Sequence, residues 1–85
     1  MKVEIGKYAK EYSFQDEFSD IEQCEICKNG IGWLAFVAHE LDDNESKYLC
    51  DALASKPKHW VYDACSFAVY ICQDCGKSFA LYNYA

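Results

Sequence analysis

The sequence contains no arginine. All eight of its basic residues are lysine, set against fourteen aspartates and glutamates, and the formal net charge is −6. Arginine is the residue that clamps phosphates and reads guanine edges, and an acidic chain repels a polyanion. The composition therefore argues against a nucleic-acid partner and favours a protein partner, itself basic.

Long apolar runs are also missing. The longest uncharged stretches, residues 29–39 and 64–73, fall far short of the roughly 18 apolar residues that a membrane span requires. Residues 1–14 carry charges throughout and have no apolar core of the kind found in a secretory signal. We therefore expect a cytoplasmic protein without a membrane span, whose cysteines stay reduced.

Cysteine, by contrast, is abundant, with six in a chain of 85 residues. Four of these form two pairs of equal spacing, Cys24 with Cys27 and Cys72 with Cys75. A turn with C-x2-C spacing, here called a knuckle, aims two sulfurs at one point, and its backbone N–H groups can donate to the thiolates. Two knuckles supply the tetrahedral four-sulfur set of a closed structural zinc site. The spacing therefore predicts that these four cysteines bind Zn2+ and stabilise a small core.

The two knuckles lie in the segments CEICKNG and VYICQDCGKSF, which resemble the two halves of a zinc-ribbon or rubredoxin-like domain. The resemblance implies a structural zinc, as in most such domains, or a single iron that carries electrons, as in rubredoxins. The chain departs from these patterns in three respects. Neither knuckle contains the proline that is common inside rubredoxin turns. Lys28 stands where a glycine is common, and 44 residues separate Cys27 from Cys72.

The rest of the pattern predicts one α+β domain over residues 1–85, with a small antiparallel sheet and one helix. Runs rich in aromatic and β-branched residues indicate strands, and the segment 32–38 reads as buried on both faces. Asn29–Gly30 predicts a tight turn with a positive φ. The strands are expected within residues 1–14, 32–38, 59–71 and 79–84, with a loop over 15–23.

The helix is predicted between the two central strands. Asp42, Asp43 and Asn44 offer an N-cap and favourable negative charge. Leu49, Ala52 and Leu53 then follow at helical spacing, and Pro57 disfavours helical geometry at the residue before it. We therefore expect a helix from Glu45 to Ser55.

The other two cysteines and the two histidines lack paired spacing. Cys50 and Cys65 fit buried small side chains, whereas His39 and His59 fit surface positions beside strands. A second metal site formed by these four residues and a Cys50–Cys65 disulfide are weaker alternatives. A thiol redox role for the knuckles is weaker still, because a redox C-x2-C pair normally opens a helix.

These features predict a non-enzymatic zinc-binding module whose acidic, aromatic surface binds another protein. Two acidic clusters, residues 11–25 and 40–45, would meet a basic partner. One alternative is a nucleic-acid-binding zinc ribbon, in which exposed aromatic residues such as Trp60 stack bases. The second alternative is a rubredoxin-like iron electron carrier.

Overall fold

The computed structural model describes residues 2–40 and 65–84. Every strand pairing in this part of the chain is antiparallel. The elements are β1 (Lys2–Glu4), a 3-10 turn (Ala9–Glu11), β2 (Ile21–Gln23), β3 (Ile31–Glu40), β4 (Cys65–Cys72) and β5 (Ser78–Tyr84). The strand order is β1-β3-β4-β5, and β2 pairs with β3 on the same side as β1.

The prediction of an α+β fold is wrong. The described residues form a five-stranded antiparallel sheet, and their only helical element is the 3-10 turn. The helix predicted from Glu45 to Ser55 lies outside the described residues. The loop predicted over residues 15–23 is wrong at its end, where Ile21–Gln23 form β2. The alternation of apolar and polar residues does not predict this strand, because it is three residues long and only its first residue is apolar.

The two knuckles are the turns of two β-hairpins. The first joins β2 to β3, and the second joins β4 to β5, which confirms the strand, turn and strand predicted around Cys72 and Cys75. Strands β3 and β4 pair from Gly32 opposite Cys72 to Glu40 opposite Cys65. Because β3 begins and β4 ends at the same end of the sheet, both knuckles lie together there.

One face of the sheet, here called the inner face, carries the core. Ala68, Tyr70 and Cys72 lie on this face of β4 and are buried, whereas Ile71 on the outer face is exposed. The ring of Tyr70 stacks on that of Phe79 with centroids 5.4 Å apart. The core comprises Ala9, Phe18, Cys24, Val37, Ala68, Tyr70, Cys72 and Phe79.

The hydroxyl of Tyr70 ties the core to the segment that leads into β2. It donates a hydrogen bond of 2.8 Å to the carbonyl of Ser19. Burial, reinforced by the negative charges of Glu22 and Asp20, raises the pKa of Tyr70 to about 12. The hydroxyl therefore remains a donor throughout the neutral range.

The expectation that residues 32–38 are buried on both faces holds at one end of β3 only. Val37 and Ala38 are buried, but Trp33 is 58% exposed. The register with β4 shifts between Leu34 and Phe36, which marks a β-bulge. The outer face of β3 is thus open beside the knuckles.

Residues 2–40 and 65–84 contain no helix long and apolar enough to cross a membrane.

Candidate metal centre

The backbone of each knuckle is wrapped around the sulfur of its first cysteine. The Sγ of Cys24 accepts hydrogen bonds from the N–H groups of Ile26 at 3.3 Å and Cys27 at 3.4 Å. The second knuckle repeats this arrangement, since the N–H groups two and three positions after Cys72 each lie 3.4 Å from its Sγ. At Cys24 these donors favour the thiolate form that a metal ion requires.

Each knuckle closes on a residue in the left-handed conformation. Lys28 has φ 66° and Gly76 has φ 72°. Their N–H groups donate to the carbonyls of Cys24 and Cys72, at 3.2 and 3.0 Å. The lysine that departs from the expected glycine therefore takes the same backbone conformation that glycine takes in the other knuckle. A side chain in this conformation is strained, because its Cβ lies too close to the backbone.

Replacing Lys28 by glycine should relieve this strain. We expect Lys28→Gly to be more stable than Lys28→Ala by about 1 kcal/mol, because both variants lose the charge but only alanine keeps the Cβ. Urea denaturation of the two metal-loaded variants would measure the difference in the free energy of unfolding. An alanine variant as stable as the glycine variant would show that Lys28 is not strained.

The four knuckle sulfurs lie together in one cluster. All four Sγ atoms are within 4.8 Å of one another. The Cys24–Cys75 pair is separated by 3.9 Å and the Cys27–Cys72 pair by 3.8 Å. A regular tetrahedron with metal–sulfur bonds of about 2.3 Å has edges of about 3.8 Å, whereas a disulfide needs about 2.05 Å. The cluster of four sulfurs is therefore compatible with a bound metal ion, and the separations of these two pairs match the edge of a tetrahedral site.

The cluster is buried on one side and open on the other. Cys24 and Cys72 are buried in the core, whereas Cys27 and Cys75 are partly exposed. The hydrogen bond from the Cys27 N–H lowers the pKa of Cys24 to about 6, although burial opposes this shift. The backbone of Lys77 acts in the same direction on Cys75, but burial and the other three sulfurs raise the pKa of Cys75 to about 11. A metal ion must therefore displace protons from the cluster when it binds.

Gly30 lets the two knuckles approach each other closely, a role that the sequence does not predict. The Asn29–Gly30 pair predicts a positive φ, but the first knuckle has its positive φ at Lys28 instead. Gly30 supplies space, because a Cβ at this position would lie 2.5 Å from the Sγ of Cys72. Its carbonyl also accepts a hydrogen bond of 2.9 Å from the Cys24 N–H. A close approach between the two knuckles leaves no signature in local sequence.

His39 is buried, so its predicted surface position is wrong. Its Nε2 lies 3.1 Å from Oε1 of Glu4, and its ring stacks on Tyr12 with centroids 4.9 Å apart. Cys65 is completely buried on β4, as predicted. Cys50 and His59 lie outside the described residues.

No protein-family model, no curated protein and no solved structure matches this chain. The resemblance to zinc-ribbon and rubredoxin-like domains therefore rests on the two knuckles and their cluster of four sulfurs. That cluster is compatible with metal binding, and the chemistry of its donors is what bears on function.

Proposed function

We propose that this chain is a non-enzymatic protein-interaction module built around a structural zinc ion held by Cys24, Cys27, Cys72 and Cys75. The supporting observation is the cluster of four sulfurs within 4.8 Å of one another, in which two pairs, 3.8 and 3.9 Å apart, match the edge of a tetrahedral site. Four protein sulfurs complete a four-coordinate site, so no position is left for water or a substrate. Closed sites of this kind stabilise a fold and do not catalyse a reaction.

The ion would join the two hairpins at the end of the sheet where both knuckles lie. Zinc is favoured over other ions because a tetrahedral set of thiolates suits it in both geometry and softness. The cytoplasm is the compartment that suits this site, because reducing conditions keep the thiols available. Four thiolates and a divalent cation would add about −2 to the formal charge, and this supports a basic protein as the partner.

Metal analysis tests the identity of the ion. Protein purified without added metal should contain about one zinc per chain, as expected for a structural site with four cysteine ligands. The Cys72→Ser variant should lose most of this metal, because it lacks one of the four ligands. Protein that neither retains zinc nor binds it when zinc is added would contradict the proposal.

A rubredoxin-like iron electron carrier is the second candidate, and one observation favours it. Cys27 and Cys75 are partly exposed, so an electron could enter at the open side of the cluster. The four cysteines would then hold iron, whose reduction potential is set by N–H···S hydrogen bonds and solvent exposure. Ferric iron in four thiolates absorbs visible light and zinc does not, so an absorption spectrum accompanied by one iron per chain would select this candidate.

Nucleic-acid binding is expected to be weak. The chain has eight lysines, no arginine and a formal charge of −6, so few phosphates could be neutralised. We expect no binding of single- or double-stranded DNA or RNA at low micromolar concentration in physiological salt. A fluorescence titration that gave submicromolar affinity with a steep salt dependence would contradict this and support the nucleic-acid-binding alternative.

A further inference from the structure

The outer face of the sheet carries an apolar surface beside the knuckles. Ile21 on β2 lies opposite Trp33 on β3, which in turn lies opposite Ile71 on β4. These three side chains are 55%, 58% and 43% exposed, and Ile31, two positions before Trp33, is 43% exposed. We call these four residues the Trp33 surface. Clustered apolar side chains that remain this exposed mark an interaction site.

A groove of about 460 Å³ adjoins this surface. It lies where β3 leaves its pairing with β2, at Trp33, and before it pairs with β1, at Val37. Ala35 sits in this gap, outside the registers with β1, β2 and β4. The groove is lined mainly by apolar groups, with one lysine and one carboxylate: Lys7, Ala9, Asp20, Ile21, Trp33 and Leu34. Its volume suits a protruding side chain.

The groove lining carries one acidic and one basic side chain, Asp20 and Lys7, and the segment that contributes Asp20 is strongly acidic. Residues 11–25, which lead into β2 and the first knuckle, contain six acidic residues and no lysine. Asp20 lines the groove and lies 3.2 Å from the Nζ of Lys10. The Asp20 side chain is nevertheless 73% exposed, and exposed ion pairs of this kind are weak enough to exchange partners. Asp20 can therefore accept a cation supplied by a ligand.

We infer that the Trp33 surface binds a basic, partly apolar segment of another protein, with one arginine side chain in the groove. The guanidinium would stack on Trp33 and pair with Asp20, while its methylene stem lies along Ile21 and Leu34. A second copy of this chain is disfavoured as the occupant, because both copies would carry the same net negative charge. This inference rests on the proposed interaction function and names the surface and the partner's chemistry.

The test uses zinc-loaded protein and a short synthetic peptide of alternating arginine and valine. A peptide with glutamate in place of each arginine serves as the matched control. In NMR titrations the arginine peptide should shift the Trp33 indole signal and the amides of Ile21 and Ile71. Trp33→Ala should weaken its binding by about tenfold or more, and Asp20→Asn by about fivefold. Tyr82→Ala, which removes an exposed aromatic ring from β5, should leave the affinity unchanged.

The possible outcomes separate this inference from the proposed function. Peptide-induced shifts away from the Trp33 surface, equal binding of the glutamate peptide, or no binding would overturn the inference. Concentration-dependent shifts of Trp33 without peptide would also overturn it, in favour of a second copy. Metal content is measured independently in each sample, so a site that retains zinc would leave the structural centre standing. Asp20→Asn keeps the inference testable even if Trp33→Ala fails to fold.

Discussion

Removing the metal from the loaded protein should unfold the sheet. Binding of a structural zinc ion is worth about 10–16 kcal/mol at neutral pH, whereas whole domains are stable by about 5–15 kcal/mol. In this chain the ion would sit where the two hairpins meet, with Cys24 and Cys72 inside the core. A strong chelator should therefore abolish the cooperative thermal transition seen by circular dichroism. Adding zinc back under reducing conditions should restore it.

Cysteine variants provide the control for this experiment. Cys24→Ser removes one of the four proposed ligands and should resemble the chelated protein even when zinc is in excess. Cys65→Ala also removes a fully buried sulfur but no ligand, so it should cost about 1 kcal/mol and keep the metal. A chelated protein that still melts cooperatively, with dispersed NMR signals, would show that the described strands need no metal.

Placing a methyl group at Gly30 should weaken metal binding by about 10–100-fold, the usual effect of disturbing the groups that position a ligand. A Cβ at this position would lie 2.5 Å from the Sγ of Cys72 and 2.6 Å from Oδ2 of Asp74. The ligand sulfur would have to move, and the tetrahedron would be distorted. Competition with a chromophoric chelator would measure the affinity of Gly30→Ala.

The neighbouring residue gives the matched comparison. Asn29 is exposed in the same turn, so Asn29→Ala should change the metal affinity little. Equal affinities for the two variants would mean that the knuckles tolerate a wider separation than the structure implies.

The residues of the candidate site can be predicted from the sequence more completely than the fold can. The spacing of the cysteines predicts both knuckles and their N–H donors, because these depend on residues three positions apart. β4 is also predictable, since Ala68, Tyr70 and Cys72 alternate with exposed or half-buried neighbours. The sheet as a whole is not predictable, because β2 is only three residues long and the pairing of β1 with β3 joins distant parts of the chain.

The errors at single residues share one physical cause. The polarity at the end of its strand predicts an exposed His39, yet this residue is buried and contacts Glu4, 35 positions away. Gly30 reads as a turn glycine, yet its role depends on Cys72. In both cases the deciding contact is made across the sheet, and no local pattern records such a contact.

The separation of the knuckles along the chain has a consequence for folding kinetics. Each half-site is complete within four consecutive residues, so it can capture an ion before any distant strands have met. The second half-site must then find the first across 45 positions, a loop closure whose length-dependent entropy costs about 3 kcal/mol. An ion already bound to one knuckle could bind the cysteines of the other knuckle when they meet it. The hydrogen bonds between β3 and β4 could then form progressively from that end of the sheet. On the proposed function, the metal would act as a reactant in folding, and the refolding rate should rise with its concentration.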